Sequence, residues 1–297
     1  MSVTVRVPAK VNVQLAVGAA REDGFHDLAN VFLAVSLYDE VTVTPSRELT
    51  VTCSGPDADQ VPLDRTNLAA RAAELLAARH GIDPAVHIHI AKDIPVAGGM
   101  AGGSADGAGA LLACDALWGL GTPKADLLDI CAELGSDVPF SLVGGAALGT
   151  GRGERLTELP VGGTFHWVFA VADGGLSTPA VYREFDRLAE GTAVPVPAAS
   201  PLLLDALCTG DASALAGALA NDLQPAALSL RPSLAATLTA GVEAGALAAL
   251  VSGSGPTTAF LAKDTDAAQQ IADALLASGT CRTARVASAP APGATVL

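Results

Sequence analysis

The chain has 297 residues, half of them hydrophobic, and a formal net charge of −14. That length holds two ordinary domains or one large one, and burying a core presents no difficulty. The acidic balance excludes a non-specific binder of nucleic acid or of acidic membranes, so a phosphorylated ligand must be held by a few local donors.

The N-terminal segment Met1-Ser-Val-Thr-Val-Arg-Val alternates like a strand and has no apolar core of a signal peptide. No long apolar run without glycine or charge predicts a membrane span. Cys53, Cys114, Cys131, Cys208 and Cys281 are scattered without a Cys-x-x-Cys pair. They read as buried thiols of a reducing compartment, so the expectation is a cytoplasmic protein.

In chain order, Val3 to Val7 and Val11 to Val17 read as strands, and Arg21 to Gly24 as a polar turn. Asn30 to Tyr38 and Val41 to Thr44 continue the β pattern. Asn67 to His80 reads as a helix capped by Thr66 or Asn67 and closed by Gly81. Val86 to Ile90 alternates as a strand. Ser104 to Leu117 reads as a helix that Gly107 and Gly109 either weaken or fit for close packing. Thr122-Pro123 starts another helix, with Thr122 as N-cap, and Gly135 stops it. Leu142 to Leu148 and Phe165 to Ala172 read as strands, and Glu190 to Ser200 as a loop. Helical patterns follow at Pro201 to Cys208, Ala212 to Ala220 and Pro232 to Ala244. Leu247 to Val251 and Thr257 to Ala262 are short strands, Thr265 to Ala277 a helix, and Thr283 to Ser288 a last strand. The strands come in runs with helices between, which predicts an α+β fold. A boundary near Gly153 to Gly163 gives domains at 1–155 and 156–288, with 289–297 as a loose tail.

One segment stands out: Pro95, Val96, Ala97, Gly98, Gly99, Met100, Ala101, Gly102, Gly103, Ser104. It joins the Val86 strand to the Ser104 helix. A loop so poor in side chains lets a ligand approach the backbone, and its amides can form a nest for an anion. The helix start adds free N–H groups and the positive end of its dipole. No Gly-Lys-Ser/Thr closes the loop, so it is not a Walker A sequence, and the glycine spacing is not that of a dinucleotide-binding turn. A plain glycine-rich turn is the alternative.

Three other positions invite chemistry. Lys10, one of four lysines, lies between two apolar β segments and needs an anionic partner unless it snorkels to the surface. Asp137 follows the helix stop at Gly135; it is either an Asx turn or a carboxylate set at a pocket and paired with Lys10. Ser252-Gly253-Ser254-Gly255-Pro256 is either a hairpin turn or a second glycine-rich wall against the first loop. His87 and His89 share a strand face without a nearby third metal ligand, which reads as a solvated face.

Together, in this order, these segments resemble the GHMP kinase superfamily. The Pro95–Ser104 loop is similar to its phosphate loop, and Ser252–Pro256 to its C-terminal glycine motif. Pro8-Ala-Lys-Val-Asn12, Asp23-Gly-Phe-His26 and Gly135-Ser-Asp-Val-Pro-Phe140 narrow the resemblance to the branch whose substrate is a cytidine diphosphate-linked polyol. The likeness spans about Val5 to Val286. It implies a two-domain fold with the active site in the cleft, and ATP-dependent phosphorylation of the C2 hydroxyl of 4-diphosphocytidyl-2-C-methyl-D-erythritol. By the same resemblance, Asp137 orients or deprotonates that hydroxyl and Lys10 stabilises the charge that develops. The amides from Ala97 to Ser104 cradle the phosphates, and Mg²⁺ bridges phosphate oxygens with Ser104 as its protein ligand. His26 reads the cytosine edge, Phe25 and Tyr182 stack on its faces, and Asn12, Gly253 and Ser254 contact the substrate. Core packing is the alternative for Phe25 and Tyr182. The family usually has tyrosine where Phe25 stands, so stacking survives but a hydroxyl hydrogen bond does not. Homoserine or mevalonate kinase activity is disfavoured by the Gly24-Phe25-His26 segment. A non-catalytic nucleotide sensor is disfavoured by the Lys10 and Asp137 pair.

Overall fold

The structure is a computed structural model and describes residues 2–96 and 98–297. The first half is built on a long hairpin, β1 (Val3–Ala20) and β2 (His26–Pro45). Each replaces two shorter expected strands. The ladder runs from Val3↔Val43 to Ala20↔His26 and absorbs register shifts between Pro8 and Ala9, Asn12 and Gln14, and Val17 and Ala20. Bulges of this kind bend a strand without ending it. β3 (Thr50–Ser54) was not expected.

Helix α1 (Leu68–His80) is bounded as its caps predict: Asn67 accepts from the Ala69 N–H, and Gly81 turns left-handed. β4 (Val86–Ala91) leads through the glycine loop to α2 (Gly102–Trp118). Gly109 is a close-packing position: a Cβ there would lie 2.7 Å from Val7 Cγ2 and 2.8 Å from Val41 Cγ2. Helix α3 (Lys124–Leu134) takes Pro123, not Thr122, as its N-cap. The segment expected as a strand at Leu142 divides into α4 (Val138–Val143) and β5 (Ala146–Thr150). Pro139 in the first turn and Gly144 and Gly145 at positive φ explain the break.

β6 (Arg155–Glu158) pairs with β5, so the first sheet extends to Glu158. The second half contributes β7 (Phe165–Val171), α5 (Thr178–Ala189), α6 (Pro201–Thr209), α7 (Ala212–Ala218), β8 (Ala220–Asn221), α8 (Gln224–Leu230), α9 (Leu234–Glu243), β9 (Ala248–Val251), β10 (Thr258–Ala262), α10 (Thr265–Ser278), β11 (Thr283–Ala289) and β12 (Thr295–Val296). A four-stranded antiparallel sheet has the order β11-β7-β10-β9. Alternation divides its residues: Trp167, Phe169 and Leu261 join the core of the first half, and Val168, Ala170 and Phe260 pack with the Ile271 and Leu275 face of α10.

The larger sheet runs β12-β1-β2-β4-β3, with β5 and β6 beside β2 and β8 beside β1. The expected loose tail is therefore docked. Val296 pairs with Val5, Pro292 bridges to Gly144, and Ala291 is buried. Two bidentate ion pairs, Arg282–Asp57 and Arg285–Asp93, also tie the halves together. Of the cysteines, Cys114 and Cys131 are buried, Cys53 and Cys281 partly so, and Cys208 is exposed, contrary to expectation; all five are free. Among the described residues no helix is long and apolar enough to cross a membrane.

Candidate active site

A cavity of about 690 Å³ lies where the hairpin, the glycine loop, α5 and the Ser252–Pro256 turn meet. Lys10 and Asn12 share the face of β1 that turns toward it, two residues apart, while Val11 enters the core. Lys10 Nζ donates to Asn12 Oδ1 at 2.7 Å and to the Gly99 carbonyl at 2.9 Å. Asn12 Nδ2 in turn donates to Asn30 Oδ1 at 2.7 Å. An ammonium only donates, so it fixes which end of the Asn12 amide faces it.

Asp137 starts α4, just past the Gly135 stop. Its carboxylate lies 3.7 Å from Lys10 Nζ, an ion pair too long for a hydrogen bond, and stays partly exposed while Lys10 is buried. Burial pulls the Lys10 ammonium below its ordinary pKa, and Asp137 offsets part of that pull.

Gly98, Gly99, Ala101, Gly102, Gly103 and Ser104 line the cavity. Ala101 caps α2 in the left-handed region, at φ 61 and ψ 32, a strained conformation for a residue with a Cβ. Three loop residues do not face the cavity as expected. Pro95 and Met100 are buried, and Val96 lines a smaller cavity of about 170 Å³ with Asp57 and Arg282. Ala97 lies outside the described residues.

The Ser252–Pro256 segment packs on the loop. Ser252 Oγ donates to the Gly99 carbonyl at 3.1 Å, and a Cβ on Gly99 would lie 2.2 Å from the Ser252 carbonyl. Asn221 holds the segment from behind by donating to the carbonyls of Val251 and Gly253. Gly253 and Ser254 line the cavity, and Ser254 shares a 2.9 Å hydrogen bond with Thr178 at the start of α5.

The far end of the cavity is aromatic. The turn between β1 and β2 is locked by Arg21 pairing with Asp23 and Asp27, and by Asp23 accepting the Phe25 N–H. This turn leaves Phe25 half exposed and points His26 inward. The His26 ring lies 5.0 Å from that of Tyr182 on α5, and its Nε2 is 2.8 Å from Asp186 Oδ1. Burial, with Asp137 adding, raises the Tyr182 phenol above its ordinary pKa.

Arg152, not singled out in the sequence, stands over the Phe25 ring at 5.0 Å. Asn30, Arg183 and Asp186 are further lining residues that sequence reasoning passed over. A charged residue inside the Gly151-Arg152-Gly153 turn was the available signal for Arg152. His87 and His89, expected on an outer strand face, form a ladder there with Thr50, Thr52 and Ser54.

Comparison with known proteins sets this geometry in a family. The GHMP kinases N terminal domain matches residues 67–145 and the GHMP kinases C terminal domain residues 203–280. A 4-diphosphocytidyl-2-C-methyl-D-erythritol kinase of Streptomyces avermitilis is 81% identical over 297 residues, covering 100% of both chains. The chain belongs to the 4-diphosphocytidyl-2-C-methyl-D-erythritol kinase family of GHMP kinases. A family member of Streptomyces coelicolor is 77% identical, again over 100% of both chains. A crystal structure of a 4-(cytidine 5'-diphospho)-2C-methyl-D-erythritol kinase superposes with a TM-score of 0.77 at 34% identity, covering 97% of this chain and 99% of that one. A homoserine kinase structure from Cytophaga hutchinsonii, 21% identical with a TM-score of 0.75, covers 100% of this chain and 97% of its own and shares the fold. The expected α+β GHMP kinase fold and the family's kinase activity are thereby established for this chain, with ATP as phosphate donor.

Proposed function

We propose that this cavity transfers the γ-phosphoryl group of ATP to the C2 hydroxyl of 4-diphosphocytidyl-2-C-methyl-D-erythritol, in isoprenoid precursor synthesis in the cytoplasm. The observation that carries the reading is a single cavity with Lys10 and Asp137 between an anion-binding loop and an aromatic end.

The acceptor oxygen attacks the γ-phosphorus as the bond from phosphorus to the β–γ bridging oxygen breaks, giving ADP and the phosphate ester. The hydroxyl proton passes to Asp137. Lys10, held by Asn12 and the Gly99 carbonyl, faces the charge that builds on the transferring oxygens. The loop amides from Gly98 to Ser104 and the start of α2 hold the phosphates. Lys10, Arg152 and Arg183 supply the local cations that an acidic chain needs to admit a substrate with a diphosphate.

Among the described residues no cluster of three or more His, Cys, Asp or Glu could hold a metal by itself. Mg²⁺ does not need one, since it is held by one or two protein groups and the substrate phosphates. Ser104, the loop's one hydroxyl, would hold the ion against the phosphates, and the ion would neutralise charge on them.

His26, its Nε2 engaged by Asp186, offers Nδ1 to the cytosine edge, with Phe25 and Tyr182 as stacking surfaces and Arg152 on one side of Phe25. Leu15, Leu28, Leu176 and Leu223 line an apolar wall that suits the methylated carbon skeleton.

ADP release with Mg-ATP tests the reading, using the cytidyl substrate, homoserine and mevalonate in parallel. Turnover with the cytidyl substrate alone supports it. Turnover with another alcohol removes the cytidine pocket, and tight ATP binding without any turnover makes the protein a nucleotide sensor.

A further inference from the structure

Three charged side chains with no part in the transfer are buried together behind the phosphate loop. Asp39 is 0% exposed, Asp106 2% and Lys92 3%. They come from separate stretches: Asp39 from β2, Lys92 from the residue after β4, and Asp106 from the second turn of α2. Lys92 Nζ donates to Asp106 Oδ2 at 2.9 Å and also to Asp39 Oδ2. The other oxygen of Asp39 accepts the N–H groups of Asp93 at 2.7 Å and Ile94 at 2.8 Å. Asp106 Oδ1 is buried without a partner. Burial pushes the Asp106 carboxyl well above the ordinary carboxylate range, Lys92 opposes this and Asp39 adds to it. Taking ions out of water costs so much that a buried triplet is weak evidence of stabilisation, and apolar groups of similar volume often serve stability as well or better.

Its position supplies another role. Asp93 and Ile94 lead directly into the loop, and Gly102 is where the loop becomes helix. A Cβ on Gly102 would lie 2.8 Å from Lys92 Nζ, so the ammonium rests against the loop's exit. From the outside, Arg285 of β11 grips Asp93 through two hydrogen bonds. Both ends of the loop are thus tied to one buried point. We propose that Asp39, Lys92 and Asp106 are positioning residues for ATP, clamping the two ends of the phosphate loop so that its amides stay aligned. The inference rests on reading residues 98–104 as the ATP phosphate site. Ordering the loop in advance removes that cost from the binding step.

Two variants test the clamp. Asp106→Asn is isosteric, and Asp106→Leu replaces the carboxyl by apolar volume while leaving Lys92 paired with Asp39, and carries the test should the first not fold. Calorimetric titration with a non-hydrolysable ATP analogue, KM for both substrates and Tm are measured on the full chain, with Ser104→Ala as a loop control. The clamp predicts an analogue Kd raised about ten- to a hundredfold. It also predicts an unchanged KM for the cytidyl substrate. Unchanged analogue affinity in both clamp variants, with Ser104→Ala weakened, overturns the clamp and leaves the loop reading standing. Unchanged affinity in all three overturns the loop reading and the clamp with it.

Discussion

Asn30 touches neither Lys10 nor Asp137, yet its replacement by alanine is expected to slow the reaction. Asn30 Oδ1 takes the Asn12 amide N–H at 2.7 Å and so keeps Asn12 Oδ1 turned to Lys10, also at 2.7 Å. Both asparagines are buried, at 4% and 1% exposure. Without Asn30 the Asn12 amide loses its partner, at a cost of about 1–3 kcal/mol. It is then free to turn, and a turned amide would present N–H to an ammonium. A hydrogen bond to a charged group contributes about 1.5–3 kcal/mol, which corresponds to about 10- to 150-fold in rate if the whole of it is lost from the transition state. Lys10 keeps the Gly99 carbonyl and Asp137, so the lower part of that range is expected. The assay is steady-state ADP release under Mg-ATP, with a thermal melt alongside. The expected signature is a fall in kcat with both KM values within about threefold. A few degrees should also be lost from Tm. A variant with parental kcat and only a lowered Tm would refute the argument that Asn30 orients Lys10 through Asn12.

Asp137→Ala should leave a folded protein that binds ATP while turnover falls by about 10²-fold or more, the usual weight of a positioned acid–base group; full activity removes Asp137 from the mechanism. Phe25→Ala should raise KM for the cytidyl substrate by the equivalent of about 1–3 kcal/mol with ATP affinity unchanged, and loss of ATP affinity instead would put the aromatic in the other subsite. Arg282 holds the Asp57 carboxyl below its ordinary 3.8, so this pair stabilises the fold above that pH and its contribution is lost as pH falls through the lower folded value. Melts of the parent and Arg282→Met should therefore differ at neutral pH and converge in strong acid; a gap that persists in acid contradicts the pairing.

The sequence carried the site's backbone better than its partners. Helix α1 was legible to within a residue, with its N-cap left between Thr66 and Asn67, because Asn67 and Gly81 are local signals that act within a turn or two. The glycine loop was legible for the same reason, although composition alone could not say that Met100 turns into the core. Helix α5 was missed despite its Thr178-Pro179 start, and its buried Val181 and half-buried Tyr182 and Phe185 look out of place until the Leu15 and Leu28 face of the hairpin is there to receive them. Asp39, Lys92 and Asp106 are separated by 53 and 14 residues, and nothing local marks them as one cluster. Arg152 and Asn30 act through side chains brought over from elsewhere in the chain. The tail looked loose because Pro290 and Pro292 break local structure, while its anchorage comes from β1 at the other end of the chain.

That anchorage has a consequence for how the protein is made. The strand that bears Lys10 leaves the ribosome about 280 residues before the strand that covers its outer edge at Val5 and Arg6. Until Thr295 and Val296 emerge, that edge offers open backbone groups to any passing strand. Leu297 completes the seal by donating its N–H to the Thr4 carbonyl. A chain that has not yet reached Thr295, or that is cut before it, is therefore most vulnerable to wrong pairing along the strand that bears Lys10.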